Sequence, residues 1–522
     1  MRLMAGILVV FVILFSVISP VYINYGKTRD GTIRQYGAHF NDSVNNIALI
    51  KSLKSSIPPE NPNVSGTKMT SYHYFINLIM AKISQLFHID DFTMYFKIAP
   101  IFLLSSLSFF VWILAKRLSS SNFVGAMATL FVMLSGNLYY LSGLVYPNSS
   151  GRPSVAWIDE FSSKLVNYQY LSSLLIMFVL FYILSIRKKL TLKIEVLVAV
   201  IVAFLFGFKF YAGVLFLSSM FFVKKFRRIF FLSIPFTLLV LIFLKGERGT
   251  IFPFEIKPLW AIKTMFESPD RINYPIWELA RQTLLSTKSY LGIMKLYVIG
   301  ILVYLFVNFG PRLIIFFKKS ENEIESLIKI ISVLGILIPL VFIQRVSVVW
   351  NIVQFSYYSV ACMGFLLALR IDRLRDNVKV LIFSLVWIIM LPGVIYTSND
   401  YAKPPYTSEF SSQFIQAAEY LESLPQGSIL IHPQYSSNAI VSAIAGKPAY
   451  LAEEMILNSY GTNIVLRKKE TSDFFEGRMI DYDGSWFKSH DIKYVVAPVS
   501  WLSPYRYLRA IFSNDSLNIY IL

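Results

Sequence analysis

Cysteine and charged residues are scarce in this chain of 522 residues. There is one cysteine, which excludes a disulfide framework and any cysteine-based metal cluster. The five histidines show no HExxH or other zinc spacing, and the chain has no GxGxxG or P-loop motif. The sequence therefore indicates neither a zinc enzyme nor a nucleotide-binding protein. Only 15% of the residues are charged, which is far fewer than in an ordinary soluble protein.

Hydrophobic residues are abundant instead. They make up 55% of the chain, the mean hydropathy is +0.56, and they fall into long runs that are typical of membrane spans. We predict about 11 transmembrane helices, at 1–23, 93–115, 122–145, 169–186, 193–208, 210–223, 229–245, 289–309, 325–344, 350–369 and 377–396. For the first of these, a cleaved signal peptide is the alternative. For the two short spans at 193–223, a partly re-entrant hairpin is the alternative.

Basic residues indicate the orientation of these spans. The net charge is +18, and most Lys and Arg residues lie in short clusters beside hydrophobic runs. Such clusters indicate which side of the membrane each loop occupies. We therefore predict no nucleic-acid partner. With a cytoplasmic N-terminus, every dense cluster falls on the inner side. These clusters are at 116–117, 187–189, 224–228, 312–319 and 370–375. We therefore predict a multi-pass protein of the cell membrane whose C-terminal segment is extracytoplasmic.

Two domains are predicted. Residues 1–396 form the transmembrane domain, and its first outer loop, at about 24–92, holds two short amphipathic helices near 43–55 and 75–87 that we expect in the membrane interface. Residues 397–522 alternate helix and strand, which favours a small α/β domain. Its helices are predicted at 411–424 and 438–445, and its strands at 428–433, 492–498 and 517–522. The predicted fold class is a mainly α polytopic membrane protein with an extracytoplasmic C-terminal α/β domain.

Polar residues gather in the first outer loop, at 35–74. Asp42 is the candidate catalytic residue, because a carboxylate at the membrane boundary could act as a general base or hold a divalent cation. The alternative is that Asp42 or a neighbour, Asn41 or Ser43, caps the helix that follows. The candidate substrate-binding residues, in this loop and in the second outer loop, are His39, Glu60, Tyr72, His73, Asp159 and Glu160. For the last two, solvated surface acids are the alternative.

Cations near the outer membrane face need a separate explanation, because positive residues are disfavoured there. Lys209, Arg248 and Arg345 are the candidates for binding a lipid phosphate, since lysine and arginine side chains pair with phosphate oxygens. Snorkelling of these side chains to lipid headgroups is the alternative.

Three stretches resemble the GT-C superfamily of membrane glycosyltransferases, particularly relatives of protein mannosyltransferases and arabinosyltransferases. The first is Asp42 within HFNDSVNNIALIKSL, followed by PPENP and SYHYF in the same loop. The second is the late hydrophobic helix WNIVQFSYYSVACMGFLLAL, at 350–369. The third is the C-terminal pattern IAGKPAYL, at 444–451, with a closing IKYVV strand.

This resemblance implies transfer of a hexose or pentose from a polyprenyl-phosphate-linked donor to a glycan, lipid or protein acceptor on the outer face, among membrane lipids. It implies that Asp42 is either the general base or, with Mg²⁺ or Mn²⁺, a metal-associated acid. Many members carry two adjacent acids in this loop, whereas here Asn41 and Ser43 flank Asp42, so the sequence assigns no metal ligand.

Two other functions stay open. A transporter or flippase is one, although internal repeats and ionisable groups in the middle of the spans, which are typical of transporters, are not evident in the sequence. A non-catalytic membrane scaffold of the same fold is the other.

Overall fold

The computed structural model describes the larger part of the chain. The described residues are 2–36, 39–69, 72–141, 158–186, 190–245, 254–345, 348–402, 407–454, 457, 463–479 and 484–522.

Helices dominate the described residues. They are α1 (Arg2–Asn24), α2 (Val44–Ser55), α3 (Phe75–Phe87), α4 (Asp91–Thr93), α5 (Ala99–Ser119), α6 (Asn122–Met133), α7 (Glu160–Val166), α8 (Tyr168–Ile186), α9 (Leu192–Phe208), α10 (Phe210–Phe222), α11 (Arg227–Lys245), α12 (Trp260–Glu267), α13 (Pro275–Ser286), α14 (Tyr290–Phe309), α15 (Glu323–Val341), α16 (Gln354–Asp372), α17 (Asp376–Ala402), α18 (Ser412–Ser423), α19 (Ile440–Ala445), α20 (Val465–Phe475) and α21 (Ser485–Ser489).

The strands are short and form small sheets. They are β1 (Gly26–Lys27), β2 (Ile33–Tyr36), β3 (Phe254–Ile256), β4 (Phe342–Gln344), β5 (Thr407–Phe410), β6 (Ser428–Ile431), β7 (Ile492–Pro498), β8 (Arg509–Ser513) and β9 (Leu517–Ile521). One sheet has the order β1-β2-β5, and β3 pairs with β4. The C-terminal sheet has the order β6-β7-β9-β8, with β6 parallel to β7 and the other pairs antiparallel.

Within the described residues, 7 segments are long and apolar enough to cross a membrane, by length and composition. They are Asp91–Ser119, Tyr168–Ile186, Lys224–Leu244, Tyr290–Phe317, Glu323–Val341, Val349–Asp372 and Val378–Ala402. The other predicted spans coincide with α1 and with the shorter apolar helices α6, α9 and α10. The predicted fold class, a helical multi-pass membrane protein with a small sheet-containing C-terminal part, is therefore confirmed. The orientation of the termini stays a prediction.

One predicted span ends early. Helix α6 stops at Met133, whereas the sequence predicted a span over 122–145. Just beyond this end, the carbonyl oxygens of Ser135 and Gly136 accept hydrogen bonds from the Arg312 guanidinium, at 2.9 and 3.0 Å. These carbonyls are thus satisfied by a side chain instead of by a continuing helix.

The described chain divides by its contacts into two compact units. Unit 1 combines Met1–Val21, Phe102–Leu244 and Ile251–Ala402, and it contains most of the apolar helices. Unit 2 combines Tyr22–Ile101, Lys245–Thr250 and Lys403–Leu522. The first outer loop therefore belongs to the same unit as the C-terminal segment, a long-range association that hydropathy does not reveal. The sequence-based domain boundary at 396/397 stays a prediction.

Close helix packing in unit 1 depends on glycine. A Cβ on Gly335 of α15 would lie 2.2 Å from Ser359 Oγ of α16, so no larger residue fits without movement. Gly136 and Gly393 meet in the same way, since a Cβ on Gly136 would lie 2.9 Å from the Gly393 Cα.

Helix α2 is the central helix of unit 2. Residues 44–50 and Leu53 are buried, with α3 and α19 packed against the helix. This burial differs from the membrane-interface position that the sequence led us to expect for α2. Helix α3 does keep Ile79, Ile83 and Leu86 exposed, as an interfacial helix would.

Hydrogen bonds join the first loop to the C-terminal segment inside unit 2. The Ser65 amide donates to the Ala449 carbonyl at 2.7 Å, and the Ala452 amide donates to the Asn63 carbonyl at 3.0 Å. Strand β2 of the loop pairs with β5 of the C-terminal segment. The two pieces of sequence therefore share one folded body. Helix α19 is capped by Gly446, whose φ of 66° lies in the left-handed region that favours glycine.

Candidate active site around Asp42

Asp42 lies on an irregular helical turn. A π-helical turn, His39–Ser43, runs directly into α2, so Asp42 lies inside the helix and not ahead of it. The Ser43 side chain makes no capping hydrogen bond, and Asp42 itself is exposed. The alternative that Ser43 caps α2 with its side chain is therefore wrong. Single π-helical turns occur frequently at functional sites.

Buried polar side chains surround this turn. Asn46 Nδ2 donates to the Asp42 backbone carbonyl at 2.7 Å and to the Tyr95 hydroxyl at 3.4 Å. Asn46 Oδ1 accepts from Asn77 Nδ2 at 3.0 Å and from the Tyr72 hydroxyl at 3.3 Å. Tyr95 also hydrogen-bonds Ser43 and feels the charge of Asp42. The turn that carries Asp42 is thus fixed by an amide and tyrosine network.

A second carboxyl, that of Glu453 in the C-terminal segment, contacts the same π-helical turn. Its side chain is fully buried, and Asn41 Nδ2 donates to Glu453 Oε1 at 2.9 Å. Burial, together with the charge of Asp42, raises the pKa of Glu453 to about 8. At neutral pH Glu453 therefore holds a proton, whereas the side chain of Asp42 is exposed.

Sequence reasoning missed Glu453, because no local pattern links positions 41 and 453. The available signal was weak: two acids, Glu453 and Glu454, directly follow the apolar run AYLA in the C-terminal segment. Only the folding of that segment onto the first loop gives Glu453 its position.

The structure brings together some of the predicted first-loop residues. Tyr72 belongs to the network around Asp42, and the His73 ring stacks on the Tyr72 ring at 4.9 Å. Glu60 instead closes a turn, because its Oε1 accepts from the Gly66 amide at 3.0 Å. His39 begins the π-helical turn, but its side chain lies outside the described residues. Substrate binding by these residues stays a prediction.

The second outer loop places its acids inside unit 1. Glu160 is buried and bonded on both oxygens, to Lys164 Nζ at 2.5 Å and to the Tyr170 hydroxyl at 2.6 Å. Asp159 accepts from the Ser162 amide at 3.2 Å as the N-cap of α7. Burial raises the pKa of Asp159 to about 7. The alternative that Glu160 is a solvated surface acid is therefore wrong, because Glu160 forms a buried ion pair with Lys164.

Arg312 adds a second buried cation in unit 1. The sequence places it in the inner-side basic cluster at 312–319, yet its side chain is only 1% exposed. It donates to the Ser135 hydroxyl at 2.7 Å as well as to the carbonyls beyond α6, and it feels the charge of Glu160. A basic residue next to a hydrophobic run in the sequence can lie in a loop or can fold back into the helical bundle. The sequence position alone does not distinguish the two cases.

Two of the three predicted phosphate-binding cations lie in one neighbourhood of unit 1. Lys209 is 5% exposed and occupies the break before the N-terminus of α10, with its Nζ 5.5 Å from the centre of the Tyr211 ring. The Tyr211 hydroxyl donates to Gln344 Oε1 at 2.6 Å, and Arg345, the next residue, is exposed. Arg345 has no ion pair within the described part of the chain. Arg248 lies outside the described residues.

A divalent cation held by Asp42 was offered by the sequence as one alternative, and it was also implied by the family resemblance. Across the described ranges, no three His, Cys, Asp or Glu side chains gather closely enough to hold a metal ion. Asp42 and Glu453 supply two carboxyls in the described part of unit 2. The cation stays a prediction.

One similar solved structure is the crystal structure of ArnT from Cupriavidus metallidurans bound to undecaprenyl phosphate. The TM-score is 0.47 and the sequence identity is 10%, over 98% of this chain and 97% of that chain. No protein family and no curated protein matches the chain.

Proposed function

We propose that the chain is an integral membrane glycosyltransferase that moves a sugar from a polyprenyl-phosphate-linked donor to a hydroxyl acceptor on the extracytoplasmic face. The observation that carries the proposal is the setting of Asp42. This exposed carboxyl lies on an irregular turn that buried amides and tyrosines hold in place, and the buried carboxyl of Glu453 accepts a hydrogen bond from Asn41, the residue before Asp42. The donor class comes from the sequence resemblance.

Asp42 is the general base in this proposal. It takes the proton of the acceptor hydroxyl while the acceptor oxygen bonds to the anomeric carbon and the bond from that carbon to the phosphate oxygen breaks. The products are the glycosylated acceptor and a polyprenyl phosphate. In this step Glu453 transfers no proton; its carboxyl accepts a hydrogen bond from Asn41, which precedes Asp42 on the π-helical turn.

Lys209 and Arg345 of unit 1 are proposed to bind the phosphate of the lipid. Lys209 precedes the N-terminus of the 13-residue helix α10, where a cation and the helix dipole both favour an anion. Tyr211 links the two cations, since its ring lies near Lys209 and its hydroxyl bonds Gln344, the residue before Arg345. A buried lysine and an exposed arginine near the ends of apolar helices suit a phosphate that is attached to a lipid chain.

Donor consumption by the purified protein in nanodiscs tests this function. A panel of polyprenyl-phosphate sugars is offered with and without membrane extract as the acceptor, and free polyprenyl phosphate and glycosylated product are quantified by mass spectrometry. We expect both to appear together and only when the acceptor is present. Movement of intact donor across the bilayer without its consumption would contradict the proposal and favour a flippase.

A further inference from the structure

Glu453 is held in an unusual backbone conformation. Its φ is 51°, a left-handed value that costs energy for a residue with a side chain. The Glu453 amide donates to the Ser436 carbonyl at 2.8 Å, so the backbone is fixed there and aims the side chain at the first loop.

The carboxyl of Glu453 is only partly satisfied by the described protein. Oε1 accepts from Asn41, whereas Oε2 is buried and has no hydrogen-bond partner among the residues that the structure describes. Buried polar atoms are normally hydrogen-bonded, so an exception calls for an explanation. Asn41 directly precedes Asp42 on the π-helical turn, which places the Glu453 contact one residue from the proposed base.

A purely structural link between the two segments explains this arrangement poorly. The first loop and the C-terminal segment are already joined by backbone hydrogen bonds and by the ion pair of Lys51 with Glu422, at 2.6 Å. Burying a carboxyl costs free energy, and an apolar residue would fill the same place at a lower cost. Glu453 therefore combines a strained backbone, full burial and a buried oxygen without a described partner. The burial of the carboxyl and its unsatisfied oxygen do not increase the free energy of unfolding.

We propose that Glu453 is a positioning residue for Asp42. Through Oε1 it anchors Asn41, and through Asn41 it fixes the π-helical turn so that the Asp42 carboxylate faces the acceptor hydroxyl. This inference rests on the glycosyltransferase function proposed above. It makes the C-terminal segment part of the catalytic machinery, in addition to any role in recognising the acceptor.

Four variants of the full-length protein test the proposal. Glu453→Ala removes the anchor, Asn41→Ala removes its partner, and the double variant removes both. Glu453→Gln keeps an oxygen that can accept from Asn41. The matched control is Glu454→Ala, because the neighbouring Glu454 pairs with Lys468 at 2.7 Å and its side chain is 34% exposed.

The readout is kcat and the donor KM for sugar transfer. We expect Glu453→Ala and Asn41→Ala each to lower kcat by about 10- to 100-fold, since a small misplacement of a catalytic group has an effect of this size. The donor KM stays unchanged, the double variant is no slower than either single variant, and Glu453→Gln keeps most of the wild-type kcat. Glu454→Ala matches the wild type.

The outcomes separate this inference from the function on which it rests. Normal kcat in a folded Glu453→Ala protein, additive losses in the double variant, or equal losses for Gln and Ala would each overturn the positioning role while leaving the transferase standing. Absence of transfer by the wild type overturns both. If Glu453→Ala does not fold, Asn41→Ala and Glu453→Gln still decide the matter, because the proposal requires the first to be slow and the second to be active.

Discussion

Glu453→Gln is expected to make unit 2 more stable at neutral pH. The substitution keeps the size of the side chain and an oxygen for Asn41 Nδ2, but it removes the group that has to hold a proton in a fully buried place. In the unfolded chain this carboxyl has its ordinary pKa of 4.5, whereas in the folded protein its pKa is raised to about 8.

The direction and size of the effect follow from linkage. Between these two pKa values the folded state binds a proton that the unfolded state has lost, so wild-type stability falls as the pH rises through this window. At pH 7 the penalty amounts to about 3 kcal/mol, and at pH 5 it is below about 1 kcal/mol. Glutamine has no such penalty at either pH.

Hydrogen exchange measures this difference. Peptides covering β7, in the core of the C-terminal sheet, are followed by mass spectrometry at pH 5 and pH 7 after correction for intrinsic rates. Where exchange requires unfolding of unit 2, we expect it to be about 100-fold slower in Glu453→Gln at pH 7 and to differ little at pH 5. Glu454→Gln, beside Lys468, is the control and shows no such dependence. Equal protection of variant and wild type at both pH values would refute the assignment of a raised pKa.

Three further changes have expected outcomes. Lys164→Met leaves the Glu160 carboxylate buried without its cation, and it should destabilise unit 1 by about 3–5 kcal/mol, seen as a lower melting temperature in detergent. Gly335→Val pushes a side chain into Ser359 and should lower the melting temperature by several degrees, whereas an unchanged value would contradict the packing. Lys209→Met should weaken polyprenyl-phosphate binding by about tenfold or more, measured by titration in nanodiscs, and unaltered affinity would remove Lys209 from the proposed site.

Local pattern predicted much of the C-terminal segment. Helix 411–424, strand 492–498 and strand 517–522 were recognised from their own hydrophobic spacing, and the structure has α18, β7 and β9 at these places. Each of these elements is specified by residues that are close together in sequence. Strand β8 and helix α20 were not predicted; both leave much of their length exposed, so their hydrophobic pattern is weak.

The candidate site was predicted only in part, because its two carboxyls lie in segments far apart in the chain. Asp42 was identified from the composition of its loop. Glu453 depends on backbone pairing between residues such as Asn63 and Ala452, which no single-sequence pattern reports. Arg312 was placed in a loop for a related reason: hydropathy marks the end of a run but does not show that a guanidinium turns back to bind the carbonyls beyond α6.

The role of Asp42 as the base is tested most directly by the rate of sugar transfer in Asp42→Asn. Asn keeps the shape of the side chain but cannot take a proton, and Asp30→Asn, which neutralises another exposed acid of the same loop, is the matched control. With donor and acceptor saturating, Asp42→Asn is expected to transfer sugar about 100- to 10,000-fold more slowly than the wild type, while Asp30→Asn keeps the wild-type rate. A folded Asp42→Asn protein that transfers sugar as fast as the wild type would contradict the account.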